Sequence, residues 1–244
     1  MNLLEHFEIH PVVKLHLFGI DLSITNAVVM MWVVAALLFL FLTFIARRAS
    51  LHPSKSQSIV ELIFQYLYQN LIMETFGEEG SAWFPFITTL FLFIFFCNII
   101  GLVPGAFTAT SNINVTATLA IIVFLTVQSV GIYKHGFFGY LKGLVPGGIP
   151  LWIAVIMFPI ELLSQFAKPF SLAVRLFANM LAGHVVILVF LTLILTSKSY
   201  FIGVIPMAGV VLMDGLEIFF GLIQAYIFSL LAALYISAAV KTEH

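Results

Sequence analysis

The sequence has few charged residues and a single cysteine. Only 9% of its 244 residues are charged and 62% are hydrophobic, whereas soluble globular domains are about 25% charged. The net charge is −1 and the basic residues are scattered, which argues against a nucleic-acid partner. Cys97 has no second cysteine to pair with and no metal-ligand spacing around it, so we expect it to serve packing. The composition indicates an integral membrane protein.

The apolar residues are gathered into long runs. Residues 1–23 have no basic segment followed by an apolar core, so we interpret them as a mature extramembrane segment, with 24–244 as a single polytopic membrane domain. Membrane-spanning segments are predicted at 24–46, 83–103, 115–133, 150–196 and 201–240. Arg47 and Arg48 place the end of the first segment in the cytoplasm and the N-terminus in the periplasm. Lys241 places the C-terminus in the cytoplasm.

Three segments differ from a simple span. Polar residues recur at helical spacing between 54 and 76, which predicts an amphipathic helix at the membrane interface or packed on its neighbours. At about 1.5 Å per residue, 150–196 and 201–240 are too long for one upright helix each. We expect each to be a long helix that is strongly tilted or lies along the membrane, although 150–196 could also be two spans with a tight turn. The predicted fold class is all-α.

The run 150–196 carries a polar stripe. Seven polar residues fall within an arc of about 120° on a helix with about 100° per residue. They are Glu161, Ser164, Gln165, Lys168, Ser171, Arg175 and Asn179. His184 lies nine positions after Arg175, and therefore on the opposite face. Polar groups within lipid need a partner or water, so the stripe indicates a functional surface.

Arg175 is the most costly residue of the stripe. A guanidinium cannot lose its proton in a protein, and placing it near the bilayer centre costs somewhere between about 3 and 17 kcal/mol. A structural ion pair with Glu161 or Asp214, or a side chain that extends to the interface, would explain it. The polar surroundings favour a surface that contacts water or ions.

The last run contains a second group of polar residues. Glu217, Gln224 and Tyr235 fall within about 20° of each other on a helix, and Asp214 lies one turn before Glu217. Two carboxyl groups this close in a low dielectric repel, so one of them could exchange protons near neutral pH. His184 titrates in the same range. The group could form a proton relay, or simply polar contacts between helices.

One motif in this chain resembles a known family. The run from Ser171 to His184, SLAVRLFANMLAGH, has Pro169 ahead of it and Gln224 in a QAYIF run downstream. This pattern is similar to that of the a subunit of the rotary F-type ATP synthase, and the similarity covers essentially the whole chain. In that family the equivalent arginine faces the rotating ring of c subunits and interacts with the ion-carrying carboxylate on each of them.

The resemblance implies roles for individual residues. Arg175 would separate two half-channels for H⁺ or Na⁺ and couple ion flow to rotation, with Asn179 and Gln224 as polar neighbours and Glu161 along a path to one side. The candidate ion-translocation residues are Arg175, His184, Glu217, Asn179, Gln224, Glu161, Asp214, Ser171 and Tyr235.

The resemblance also implies the setting of the chain. It would be a non-catalytic subunit without a cofactor, spanning a bacterial inner membrane several times. Its partners would be the c ring, the b subunits of the peripheral stalk and the remaining synthase subunits.

The sequence departs from one arrangement in the family. Some members have a glutamate nine residues after the arginine and a histidine seven residues before the glutamine, whereas this chain has His184 and Glu217. The exchange suggests that the two positions are close in space and share one titratable unit. Which of them takes the incoming proton is left open.

Two other functions remain possible from the residues alone. A secondary ion-coupled transporter would also bury arginine and carboxylates, but it should contain repeats and unwound half-helices. A proton-channel subunit of a redox complex would copurify with haem or flavin proteins. Neither explains the arginine motif together with the distal glutamine.

Overall fold

The computed structural model is a helical bundle preceded by two short strand pairs. The structure describes residues 11–14, 16–17, 20–21, 23–48, 55–103, 107–143, 150–196 and 200–241. Strand β1 (Pro11–Val13) pairs antiparallel with β4 (Ile24–Thr25), and β2 (His16–Leu17) pairs with β3 (Ile20–Asp21). The sequence reasoning did not predict these strands. Much of the predicted extramembrane segment, 1–23, lies outside the described residues.

Long helices make up the rest of the described chain. They are α1 (Asn26–Arg48), α2 (Lys55–Leu67), α3 (Glu74–Phe76), α4 (Phe84–Gly101), α5 (Ile113–Gly143), α6 (Leu151–Thr196) and α7 (Tyr200–Lys241). A π-helical segment, Tyr68–Met73, joins α2 to α3, and 3₁₀ turns at Gly77–Ala82 and Ala109–Ser111 precede α4 and α5. Five of these helices, α1 and α4 to α7, are long and apolar enough to cross a membrane. The all-α class with five membrane-embedded segments is therefore confirmed.

The predicted amphipathic segment at 54–76 is helical but not one regular helix. Helix α2 continues through the π-helical segment into α3, which ends at Phe76. Leu71 and Ile72 are buried in the bundle, whereas Ile59 and Leu62 on α2 are exposed. One side of the segment thus packs on its neighbours, and the other presents apolar side chains outward.

Helix α5 extends ten residues beyond the predicted end of its span at 133. Gly136 interrupts it with φ 70° and ψ 163°, a backbone conformation that favours glycine because a side chain there is strained. The chain then continues as helix to Gly143. The residues after the break bring Tyr140 against α6.

The run 150–196 forms one helix and not two spans. Helix α6 is continuous over 46 residues with Pro159 and Pro169 inside it, and α7 is continuous over 42 residues with Pro206 inside it. At about 1.5 Å per residue these helices are roughly 69 and 63 Å long, about twice the thickness of the hydrocarbon core. They must therefore be strongly tilted or lie along the membrane.

The core of the bundle lies where α4, α5, α6 and α7 meet. The largest fully buried side chains include Ile87, Ile94, Leu172, Leu176, Met180, Phe228 and Ile236. Cys97 is buried in a smaller cluster between α1 and α4, consistent with a packing role. Helix α6 contributes to this core only through the middle of one face, where Leu172, Leu176 and Met180 lie. Elsewhere on the helix, Phe170 and Val189 are exposed. One long side of α6 is consequently not covered by the described part of the chain.

Candidate functional site

Arg175 lies on the uncovered side of α6. Its neighbours Leu172 and Leu176 are buried in the core, whereas Arg175 and Ser171 are exposed. Among the described residues, Arg175 forms no ion pair or side-chain hydrogen bond. Glu161 instead approaches Lys168, with 3.9 Å between Oε1 and Nζ. The structural ion pair with Glu161 or Asp214 is thus not formed in the described part of the chain.

On the opposite face of α6, His184 contacts Glu217 of α7. The distance between His184 Nδ1 and Glu217 Oε1 is 2.5 Å, and the Glu217 side chain is only 3% exposed. Both carboxylate oxygens are buried, and no other described side chain forms a hydrogen bond with them. The structure therefore brings together His184 and Glu217, the two positions at which the sequence analysis found histidine and glutamate exchanged.

Gly183 permits this close approach. A Cβ atom built on Gly183 would lie 2.8 Å from Glu217 Cδ, closer than real Cβ contacts allow. Asp214, one turn earlier on α7, interacts electrostatically with both Glu217 and His184. The described residues around His184 thus hold two carboxyl groups and one imidazole, a unit that can take up and release protons.

A third element completes the surroundings of His184. Thr108, just before the 3₁₀ turn Ala109–Ser111, has its Oγ1 2.5 Å from His184 Nε2. The same hydroxyl donates to the Gly101 carbonyl at 3.0 Å, and Thr108 is only 3% exposed. His184 Nδ1 also lies 3.1 Å from the carbonyl oxygen of Met180. We call His184, Glu217, Asp214 and Thr108 the histidine cluster.

Further buried polar groups adjoin the histidine cluster. Thr110 Oγ1 donates to Asn98 Oδ1 at 2.7 Å, and Asn98 Nδ2 donates to the Gly221 carbonyl at 3.1 Å. Gln224, one turn after Gly221, is buried, and its Nε2 has no hydrogen-bond partner in the described part of the chain. Polar groups therefore continue along α7 from Glu217 towards Gln224.

A separate polar cavity lies between α5, α6 and α7, on the other side of Arg175 along α6. Its volume is about 200 Å³, and we call it the glutamine cavity. The polar residues that line it are Gln128, His135, Tyr140, Glu161, Gln165, Lys168 and Tyr235. Gln165 Oε1 accepts hydrogen bonds from Gln128 Nε2 at 2.7 Å and from the Tyr140 hydroxyl at 3.0 Å. Lys168 Nζ lies over the Tyr235 ring, 5.6 Å from its centroid.

Arg175 separates the two polar regions along the helix. His184 lies nine residues after it, and Lys168 and Glu161 lie seven and fourteen residues before it. With a rise of about 1.5 Å per residue, these steps correspond to roughly 14, 11 and 21 Å along α6. Asn179, between Arg175 and His184, is partly buried.

Seven of the nine candidate residues lie in three places. His184, Glu217 and Asp214 belong to the histidine cluster, Glu161 and Tyr235 line the glutamine cavity, and Arg175 and Ser171 share the uncovered side of α6. The other two are Asn179, which is partly buried on α6, and Gln224, which is buried on α7. Sequence reasoning missed Thr108, Asn98, Gln128 and Tyr140. Thr108 contacts a residue 76 positions away, and no periodicity within one helix signals such a contact.

The chain matches a known protein family over most of its length. The family model described as ATP synthase A chain matches residues 28–237. A protein named ATP synthase subunit a from Magnetococcus marinus is 42% identical over 250 residues, covering 98% of this chain and 93% of the relative.

Other relatives carry the same name. One from Chloroherpeton thalassium is 42% identical over 245 residues, covering 98% of this chain and 73% of the relative. One from Rhodospirillum rubrum is 38% identical over 237 residues, covering 97% of both chains. Because the family model and these relatives extend over nearly the whole chain, this protein belongs to the ATP synthase subunit a family.

Proposed function

We propose that this chain is the ion-translocating stator subunit of a rotary ATP synthase. It provides two half-channels that lead protons or Na⁺ to and from a carboxylate on a ring of c subunits, and it performs no covalent chemistry itself. The observation that carries this proposal is the position of Arg175. It is an exposed cation without a partner in the described chain, with one polar region on each side of it along α6.

The histidine cluster is the inner end of the first half-channel. His184 and Glu217 share a titratable contact, and Asn98, Thr110 and Gln224 continue the polar path between α4 and α7. The 3₁₀ turn at 109–111 belongs to the loop expected on the periplasmic side. We therefore assign this half-channel to the periplasmic face.

The glutamine cavity is the second half-channel. Its residues lie in the last part of α5, the first part of α6 and the end of α7. By the positive-inside rule, Lys134, Lys142 and Lys241, which lie near these ends, favour a cytoplasmic position for the cavity. Glu161 and Lys168 line the cavity as a partly exposed pair that can contact water.

Arg175 acts between the two half-channels as a fixed charge. A c-ring carboxylate that has lost its ion can pass the guanidinium as an ion pair, whereas an occupied, neutral carboxyl loses that attraction and gives up its ion before it passes. Each unit charge that crosses the membrane potential contributes about 2.3 kcal/mol per 100 mV. Ions entering by one half-channel must therefore travel round the ring before leaving by the other, and this movement drives rotation.

The uncovered side of α6 is the surface for the c ring. On this side Arg175 has the exposed Ser171 one turn before it, and the exposed apolar side chains of Val186 and Val189 lie further along α6, where they suit contact with helices or lipid. The b subunits and the remaining synthase subunits would bind elsewhere on the chain. The assembly would lie in a bacterial inner membrane.

The test of this function is the variant Arg175→Ala in the assembled synthase. We expect it to abolish ATP synthesis and ATP-driven proton pumping in membrane vesicles, because nothing then separates the two half-channels. Arg47→Ala, which removes an exposed arginine at the end of α1, is the matched control and should pump normally. Normal coupled pumping by Arg175→Ala would disprove the proposed function.

A further inference from the structure

The imidazole of His184 is held at both ring nitrogens by separate elements. Nε2 lies 2.5 Å from Thr108 Oγ1, and Nδ1 lies 2.5 Å from Glu217 Oε1 and 3.1 Å from the Met180 carbonyl oxygen. Thr108 belongs to the loop before α5, and Glu217 belongs to α7. The ring therefore bridges the loop and the helix.

The Thr108 hydroxyl has only one hydrogen to give. We assign that hydrogen to the Gly101 carbonyl oxygen, 3.0 Å away, because a carbonyl can only accept. The Thr108 oxygen is then available to Nε2 as an acceptor, so Nε2 carries a hydrogen. Because Thr108 is 3% exposed, bulk water does not compete for this contact.

The two nitrogens consequently have different roles. With Nε2 keeping its hydrogen, Nδ1 is the nitrogen that gains and loses the exchanged proton, and it faces the Glu217 carboxylate. The Met180 carbonyl oxygen beside Nδ1 favours the state in which Nδ1 is protonated. One proton is then shared between Nδ1 and Oε1. When it is on Nδ1, Glu217 is a carboxylate, and when it is on Oε1, Glu217 is a carboxylic acid.

We propose that Thr108 is a positioning residue of the periplasmic half-channel, whose hydroxyl keeps His184 Nε2 protonated and so confines proton exchange to Nδ1 and Glu217. This inference rests on the proposed function, because it assigns a task within the same half-channel. Thr108 itself does not carry the ion.

Among the residues that the structure describes, Glu217 and Asp214, both on α7, are charged groups that interact with His184. Glu217 contacts the ring directly, and Asp214 interacts with it electrostatically. From α4 and the loop before α5, the described contacts to the ring come from the Thr108 hydroxyl and the Gly101 backbone, which are neutral. On α6, Arg175 lies nine residues before His184 on the opposite face, and Lys168 lies a further seven residues away beside Glu161.

The decisive variant is Thr108→Val, which replaces the hydroxyl with a methyl group of similar size. The ring then loses the Thr108 acceptor and keeps only its Gly101 backbone contact on this side among the described residues, so the cationic ring is stabilised less and the pair holds its proton less tightly. We expect the pH profile of proton conductance through the reconstituted complex to move about one unit towards acid, a tenfold change in proton concentration equivalent to about 1.4 kcal/mol. Thr108→Ser keeps the hydroxyl and should retain the wild-type profile.

Thr116→Val is the matched control for this substitution. Thr116 is fully buried, and its hydroxyl donates to the Ile113 carbonyl of its own helix. Losing that contact should leave the pH profile unchanged. An unshifted profile for Thr108→Val, or an equal shift for Thr108→Ser, would overturn the inference.

Two further measurements separate the possible failures. Arg175→Ala is measured in parallel. If Arg175→Ala pumps normally, the proposed function fails. If Arg175→Ala is inactive and Thr108→Val has an unshifted pH profile, only the inference about Thr108 is rejected.

If Thr108→Val does not assemble, ¹⁵N NMR of the histidine-labelled wild-type complex decides, with the His184 signals assigned by their loss in His184→Gln. Nε2 should stay protonated while Nδ1 titrates, and a deprotonated Nε2 would overturn the inference.

Discussion

At the scale of single residues, the site consists of one isolated charge and one shared proton. Arg175 finds no partner among the described residues. His184 and Glu217, by contrast, are in contact and can exchange a proton. In the proposed function, the permanent cation is the barrier and the titratable pair is the donor and acceptor, because only the pair can change its charge.

The exchanged residue types give a direct prediction for the pair. We expect His184→Glu combined with Glu217→His to retain more ATP-driven pumping than either single change, because the double variant keeps one imidazole and one carboxyl in contact. Recovery should be partial, since a carboxylate at position 184 would face the Met180 carbonyl oxygen that now lies near Nδ1. Pumping in vesicles is the measurement, and equal loss in all three variants would contradict a shared unit.

At the scale of elements, the break in α5 places one wall of the glutamine cavity. Gly136 has a positive φ that side chains rarely adopt, and helix resumes after it so that Tyr140 can donate to Gln165. Nothing lies within 4 Å of a Cβ built on Gly136, so the backbone conformation and not crowding requires glycine there.

Gly136→Ala should therefore destabilise the helix break. We expect a loss of roughly 1 to 3 kcal/mol from strain at this φ, measured as a lower midpoint of thermal unfolding of the purified subunit in detergent. Gly139→Ala is the control, because a Cβ there meets His135 Cβ at an ordinary 3.6 Å. Equal midpoints for the two variants would show that the break is not under strain.

At the scale of the whole molecule, the two polar regions are independent sites joined only through α6 and α7. One lies between α4, α6 and α7, and the other between α5, α6 and α7. Helices of ordinary length could not contribute to both, and the length of α6 and α7 is what lets the same two helices line each region. The proposed half-channels should then respond separately to mutation.

Gln165→Leu tests this independence. It removes the acceptor shared by Gln128 and Tyr140 and makes the cavity less polar, so we expect proton conductance to fall severalfold. The pH profile should stay unshifted, because the histidine cluster is unchanged. The control is Thr126→Ala, which should conduct normally because the Thr126 hydroxyl donates to the Ile122 carbonyl of its own helix. A shifted profile in Gln165→Leu would contradict separate half-channels.

Much of the fold followed from the sequence, because membrane spans depend on local hydrophobicity. The spans predicted at 24–46 and 83–103 agree with α1 and α4 to within two residues at each end. The strand pairs near the N-terminus and the extension of α5 beyond Gly136 were missed. They depend on backbone pairing between short segments and on one glycine torsion, neither of which gives a hydrophobic pattern.

The sequence by itself determined the class of the protein, the residues with costly charge and the helical face on which each lies. These depend on composition and on the fixed rotation of about 100° per residue, which hold whatever the helices pack against. Only the tertiary structure decided that 150–196 is one helix, that Arg175 has no partner in the described chain, and that Thr108 contacts His184. Those facts arise from contacts between segments far apart in sequence, and no local pattern encodes them.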